Sequence, residues 1–513
     1  MAVEASIERS VCGLEAGAAV AAGAWSMPVV RRRNLTAVVT VGIFVVVGFG
    51  LRLLAARHDL WLDEIWSIDL VQGLSSPDQV FWRISHDNNH FLNSLWLYGL
   101  GPDQEPSLYR MPAVVFGTLS VIVAAHIGLR RSLATAIAAA ALVSTSALLV
   151  TYGSEARGYA GLILALLVAV DAFDRSIGLC SQGWSAQAPA DTIRQRCVLG
   201  AAIGLGALFH LTMVAALPLF GAASVLRRRG AGQPWGQAIG DTLTVLRPAL
   251  ILLVPAMGCV IGGIMARHGF EVGGATPFSA PHALDGIGTA LRLASGLPET
   301  LPLWLVCCVC GLGIGLASVV WLDPTRRWLV ICGTVLLPCG LLALQLPNLE
   351  FPRYFLIPAT IFTLVMADAI GALWDQGSHW SRLAAGALLA AILLGQTPSL
   401  NTLITVGRGS YTAVVERMAS GETATYASDA RFRVQTVIDF VAAHRHRSVA
   451  YIGPDAFCST RPRWYIATDD AAPRSADRID LGPEACRASF DKIATYPTSA
   501  LSGMAWTLYR RSD

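Results

Sequence analysis

Two acidic residues stand side by side in the run Trp61-Leu62-Asp63-Glu64-Ile65-Trp66-Ser67, just past the first long apolar stretch. A carboxylate held among aromatics at a membrane interface can take a proton from an acceptor hydroxyl, and burial would raise its pKa toward a useful range. The pair also reads as solvated loop acids, or as acids at a helix N-terminus favoured by the dipole. A second segment, His86-Asp87-Asn88-Asn89-His90-Phe91-Leu92-Asn93, concentrates groups that could bind a divalent metal, a sugar hydroxyl or a phosphate, or simply cap a helix. Its spacing matches no zinc signature. A third, Tyr152-Gly153-Ser154-Glu155-Ala156-Arg157-Gly158-Tyr159, puts Glu155 and Arg157 at a membrane boundary, where ionised groups are costly and default to functional hypotheses. The planar fork of Arg157 suits phosphate; the other reading is an internal Glu–Arg pair that fixes helix packing. In Phe351-Pro352-Arg353-Tyr354-Phe355, Arg353 is a phosphate ligand or a snorkelling anchor.

The elements that position these segments are membrane helices. The chain has 513 residues, of which 54% are hydrophobic and only 14% charged, with a mean hydropathy of +0.53. A soluble domain carries about 25% charge. Apolar runs of about 20 residues match the length of a spanning helix, and their lack of alternation excludes a β-barrel. Spans are predicted at about 34–54, 111–129, 133–150, 160–173, 197–209, 211–226, 248–266, 301–321, 328–346, 354–373 and 384–405. The fifth and sixth share one apolar stretch broken near His210. With the N-terminus inside, the inner loops collect Arg31-Arg32-Arg33, Arg130-Arg131, Arg175, Arg194, Arg196, Arg227-Arg228-Arg229, Arg326-Arg327 and Arg382. Every clear arginine cluster then lies on one side, as the positive-inside rule requires. A single span over 197–226 would scatter them.

This topology divides the chain into a cytoplasmic segment (1–33), a transmembrane domain (34–407) with outer loops 57–110 and 267–300, and an extracytoplasmic domain (408–513). In that last domain Phe432–His444 has helical periodicity, and Ser448–Ile452 reads as a strand ended by Gly453-Pro454, so a small α/β fold is expected. Residues 1–30 lack a basic region leading into a long apolar run, so no cleavable signal peptide is expected. The net charge of +3 sits in short topology clusters and excludes a nucleic-acid footprint. Most of the 11 cysteines lie in apolar runs; Cys458 and Cys486 lie in the polar tail and could pair in an oxidising compartment. All four polar segments fall on the outer face, which describes a cavity with a carboxylate base and two arginines.

These residues resemble the GT-C superfamily of membrane glycosyltransferases, in particular the branch of protein O-mannosyltransferases and lipopolysaccharide aminoarabinose transferases. The resemblance spans about residues 34–405 and rests on Asp63-Glu64, the His/Asp-rich segment, Glu-Ala-Arg-Gly-Tyr at 155–159 and Pro-Arg-Tyr-Phe at 352–355. The family's His-Pro-Pro is replaced by Asn88-Asn89-His90-Phe91-Leu92. The resemblance implies a mainly α fold: a polytopic transmembrane bundle of about 11 spans with a small C-terminal α/β domain. It implies inverting transfer of a hexosyl or pentosyl group from a polyprenyl-phosphate donor to an envelope glycolipid, polysaccharide or protein, at the outer face of a bacterial inner membrane. Asp63 would be the base, with Glu64 beside it. Arg157, Arg353 and Tyr354 would hold the donor phosphate; His86, Asp87, His90, Glu155 and Tyr159 would bind substrate. Some relatives use a divalent metal, to which His90, His268 or His282 could contribute. Two other readings stay open: a lipid-linked sugar flippase, and a non-catalytic assembly subunit.

Overall fold

The computed structural model describes residues 35–176, 192–267, 269, 273–274, 276–320, 324–419, 423–469, 472–499 and 501–512. The expected cytoplasmic segment 1–33 and His268 lie outside the described residues. The first membrane helix, α1 (Leu35–Ala55), leads into three short helices of the outer loop, α2 (Leu62–Gln72), α3 (Phe91–Leu100) and α4 (Pro106–Tyr109). The bundle continues with α5 (Met111–Leu129), α6 (Leu133–Thr145), α7 (Ala147–Tyr152), α8 (Tyr159–Ser176), α9 (Thr192–Phe209) and α10 (Ala216–Gly230). It is completed by α11 (Trp235–Arg267), α12 (Ala280–Ser295), α13 (Leu303–Val320), α14 (Pro324–Ile331), α15 (Leu337–Ala343), α16 (Leu356–Asp375) and α17 (His379–Thr405).

Every expected apolar segment falls on helix, and among the described residues eight helices are long and apolar enough to cross a membrane. The boundaries differ where the backbone breaks. The expected span 133–150 is two helices, because Ser146 leaves helical geometry and its Oγ caps α7 by accepting the Leu149 N–H at 3.4 Å. The guanidinium of Arg52 fills that break, donating to the carbonyls of Val143 (3.0 Å), Ser144 (3.4 Å) and Leu149 (3.5 Å). The break leaves the Val143 and Ser144 carbonyls without their helical partners, and Arg52 supplies donors in their place. His210 is extended, as the expected interruption between the fifth and sixth apolar segments requires. The 33-residue α11 contains Pro248 and Pro255 and runs well beyond the expected 248–266, its first turns carrying Asp241 paired to Arg228 at 3.0 Å.

The two ends of the bundle have different chemistry. Helix α5 begins beside Arg110 and ends beside Arg130, a rise of roughly 28 Å and so about one hydrocarbon thickness. At the Arg130 end, arginines converge on carboxylates: Arg130 and Arg175 on Asp171 (3.1 and 2.9 Å), Arg131 and Arg326 on Asp368 (3.3 and 3.0 Å). The polar segments of interest lie at the Arg110 end.

The tail begins with α18 (Tyr411–Met418) and continues as β1 (Ala424–Ser428), α19 (Arg431–His444), β2 (Val449–Tyr451), α20 (Phe457–Thr460), β3 (Trp464–Asp469), β4 (Arg478–Leu481), β5 (Ala488–Tyr496) and β6 (Ala505–Arg511). The sheet order is β2-β1-β3-β6-β5-β4, parallel around β1 and antiparallel from β3 onward. A disulfide joins Cys458 to Cys486. One hydrophobic core contains outer-loop residues (Trp61, Ile65, Ile68, Leu97) together with Val414, Val434, Ile438 and Trp506 of the tail. The sheet domain is therefore packed onto the outer loop. Asp59 reinforces the join by accepting from the Thr412 N–H (2.7 Å) and hydroxyl (2.9 Å) at the start of α18.

Close packing at the start of α8 gives a direct test. A Cβ on Gly158 would sit 1.7 Å from the carbonyl oxygen of Phe209, and backbone cannot yield as a flexible side chain can. Gly158→Ala is expected to destabilise the protein by about 1–3 kcal/mol, read as a lower melting temperature in detergent. Gly236→Ala, which meets nothing within 4 Å, should leave melting unchanged or slightly raised.

Candidate active site

Asp63 and Glu64 occupy the first turn of α2, so the helix-terminus reading of the pair describes its location. Neighbouring helix residues point about 100° apart, and this divides the two acids. Glu64 turns inward and is fully buried. Its Oε1 accepts from Arg110 Nε (2.7 Å) and the Ala156 N–H (2.7 Å); its Oε2 accepts from Arg110 Nη2 (2.5 Å) and the Trp61 N–H (3.2 Å). The remaining Arg110 donors reach the carbonyls of Ala56, His58 and Asp59. Placement beside Asp63 suggests catalysis for Glu64; its environment is that of a fully buried ion pair. Every oxygen is committed to holding the outer loop against α5 and the 153–158 turn.

Asp63 turns the other way, into a cavity of about 370 Å³. Its Oδ2 accepts from Arg157 Nη1 at 2.8 Å and from Arg353 Nη1 at 3.3 Å. Three segments separated by 94 and 196 residues in sequence thus meet on one carboxylate oxygen. Arg157 is oriented by all its edges: Nη2 donates to Asn88 Oδ1 (2.7 Å), Nε donates to His90 Nε2 (3.2 Å), and the guanidinium lies over Tyr159, 4.9 Å from the ring centroid. Arg353 stands on a 3-10 turn, Pro352–Phe355, over the ring of Phe351 at 4.3 Å.

The other expected residues fall into supporting positions. His90 accepts a hydrogen bond at Nε2, which requires its proton on Nδ1, and its ring stacks on His210 at 4.8 Å. Burial, and then the charge of Arg157, holds the His90 imidazole well below the usual histidine range, so it stays neutral at physiological pH. Asp87 pairs with His86 Nδ1 at 2.8 Å and accepts the Gly273 N–H at 3.1 Å, clipping the second outer loop to the first. Burial alone would raise the Asp87 pKa, but these hydrogen bonds outweigh it and lower it. His86 packs on Trp66 at 4.1 Å. Tyr159 is buried under Arg157, and Tyr354 lines a second, apolar cavity. Glu155 is fully buried and pairs with Arg408 at 3.4 Å. The expected internal Glu–Arg pair therefore exists with a partner 253 residues away, not with Arg157. His282 is exposed on α12, and among the described residues no group of three His, Cys, Asp or Glu side chains could hold a metal ion.

Arg110, Arg408 and Asn88 are the residues that sequence reasoning missed. Arg110 precedes a span and Arg408 follows one, both on the face where Arg353 breaks the positive-inside pattern. The same anomaly, applied evenly, selects all three arginines. Asn88 had no separate signal within its polar segment.

No family model matches the sequence, and no curated protein matches it. Solved structures do. The chain superimposes on apo ArnT, the aminoarabinose transferase from Cupriavidus metallidurans, with a TM-score of 0.50 at 14% identity, covering 85% of this chain and 93% of that one. It superimposes on the oligosaccharyltransferase of Archaeoglobus fulgidus, tethered to an acceptor peptide containing the NVT sequon, with a TM-score of 0.50 at 11% identity, covering 84% and 68%. The chain has the GT-C fold. In this fold, a helical membrane bundle carries the polar segments at one end, beneath the small sheet domain.

The buried Glu64–Arg110 pair is expected to dominate stability at this end. Arg110 outweighs the effect of burial and keeps the Glu64 pKa below the ordinary carboxylate value. The ionised form therefore stabilises the fold fully above pH ~4.3, and that contribution is lost as pH falls through the folded value. Glu64→Gln should cost about 3–5 kcal/mol near neutral pH because it strands a buried arginine. Thermal unfolding in detergent should show the gap between mutant and parent closing below pH ~4. A mutant that melts with the parent at pH 7 would contradict the structural role.

Proposed function

We propose that the protein is an inverting glycosyltransferase that moves a sugar from a polyprenyl-phosphate donor to a cell-envelope acceptor at the outer face of a bacterial inner membrane. The observation that carries this reading is the convergence of Arg157 and Arg353 on Asp63. The two guanidiniums form a site for a phosphate, and the carboxylate beside them is placed to accept an acceptor proton. Similarity of fold to two transferases, one acting with an acceptor peptide in its structure, adds to it.

A donor needs room for a prenyl chain as well as its phosphate. An apolar cavity of about 610 Å³ is lined by α10 and α15 side chains such as Leu219, Leu337 and Leu341, and reaches Tyr354, the neighbour of Arg353. The lipid would lie there with its phosphate at the arginines. In the reaction, the acceptor oxygen forms a bond to the anomeric carbon while the bond from that carbon to the phosphate oxygen breaks. The acceptor proton passes to Asp63, and both arginines stabilise the departing phosphate. Phosphate leaves readily, so no general acid is required.

Before donor binding, Asp63 Oδ2 occupies the arginine donors that the phosphate would use. Donor phosphate and Asp63 would then compete for Arg157 and Arg353, and binding would free the carboxylate for the acceptor. The disulfide supports an extracytoplasmic sheet domain, because such bonds persist in oxidising compartments. The arginine-rich opposite end supports a cytoplasmic inner face.

Asp63→Asn should lower transfer by about 10²–10⁴-fold while the protein still inserts and melts normally. The readout is mass spectrometry of envelope glycans and lipids from cells carrying parent or variant protein. Full product formation by the variant would rule out Asp63 as base. Substrate transported across the membrane but chemically unchanged would favour a flippase.

A further inference from the structure

The cavity around Asp63 has a wall supplied in part by the tail domain. Helix α19 turns Val434, Val437, Ile438 and Val441 into the shared core. Phe432 lies off that stripe and is 53% exposed. It makes an edge contact with Trp66 of α2, ring centroids 5.1 Å apart, across the junction between the tail and the outer loop. Both rings line the cavity, as do the neighbouring Arg433 and, from the segment before Arg353, Glu350. Among the described residues, Glu350 makes no hydrogen bond or ion pair, although it sits three residues from Arg353.

From this wall we infer that the cleft binds a carbohydrate ring of the acceptor, seated against Trp66 and Phe432 and hydrogen-bonded by Glu350 and Arg433. The inference rests on the transferase reading of Asp63 and assigns the class of acceptor to it. A sugar ring has an apolar face of C–H groups that packs on aromatic rings, and a polar edge of vicinal hydroxyls. A carboxylate can accept two such hydroxyls, and a guanidinium can donate to two oxygens. Rings with planar groups of both signs fit that pattern. They fit a prenyl chain poorly, and the aliphatic cavity beside Tyr354 already offers a place for one. An acidic or basic peptide would call for a wall of one sign.

The placement also separates acceptor from donor. The apolar cavity approaches the arginines from within the bundle, whereas the Trp66–Phe432 cleft approaches Asp63 from the tail domain. Phe432 and Arg433 thus make the tail domain a selector of acceptor. They are binding residues, distinct from the proton-accepting group.

The test uses the full chain in lipid nanodiscs, without donor, and saturation-transfer NMR with methyl pyranosides, methyl furanosides and their short oligosaccharides. At least one saccharide class should bind, and Phe432→Ala and Glu350→Gln should each weaken it tenfold or more without lowering the melting temperature. Asp63→Asn should retain that binding, so a failed base assignment, seen as unimpaired transfer, is distinguishable from a failed acceptor assignment. The inference is overturned if no saccharide of the panel binds, or if binding is the same in both wall variants. It is also overturned if a short Ser/Thr-containing peptide binds in the sugar's place with the same dependence on Phe432.

Discussion

The buried pair of Glu64 and Arg110 is the constraint on which this end of the bundle and the docked sheet domain depend. An ion pair shielded from water must have its donors and acceptors matched, and here they are matched almost completely. That matching fixes α2 relative to α5, and through the Ala156 N–H it also fixes the turn between α7 and α8. Once Glu64 is locked inward, the helical step carries Asp63 outward to meet Arg157, which the same turn delivers. The meeting of Asp63 with Arg157 on one side of α2 is a consequence of electrostatic satisfaction on the other.

A second buried arginine extends the same logic to the tail. Arg408 joins Glu155 to the carbonyls of Ala55 and Thr151 and to the hydroxyls of Ser154 and Ser502. It therefore links α1, the 153–158 turn and the loop before β6. Because the tail domain shares a core with α2 and α3, its wall of the cavity is held in register with Asp63. This end of the molecule is one packed unit, in which the tail domain, the loop helices and the bundle share a core and a set of buried hydrogen bonds.

Much of this was legible in the residues. The bilayer sets the length of an apolar run, so the helical nature of these segments could be read directly, though eight described helices are long and apolar enough to span where eleven spans were expected; charge asymmetry put the four polar segments on one face. Arg353 was visible because a cation on that face needs a reason. Roles were harder to read. Nothing in the dipeptide says which of Asp63 and Glu64 faces inward, because that depends on what α2 packs against. The partner of Glu155 is equally hidden: Arg408 is 253 residues distant, and only the docking of the tail brings it near. His90 resembles a metal ligand in sequence, whereas in three dimensions its free nitrogen already accepts from Arg157. The break near His210 was expected, whereas the one at Ser146 follows from capping, which apolarity does not encode.

The central claim is that Asp63 and the donor phosphate share the same two arginines. Calorimetric titration of purified parent and Asp63→Asn protein with farnesyl phosphate, a prenyl phosphate without a sugar, tests it most directly. Loss of the competing carboxylate should free Arg157 and Arg353, so the variant should bind the prenyl phosphate more tightly, by about tenfold for a change of ~1.4 kcal/mol. Equal or weaker binding by the variant would contradict the shared site.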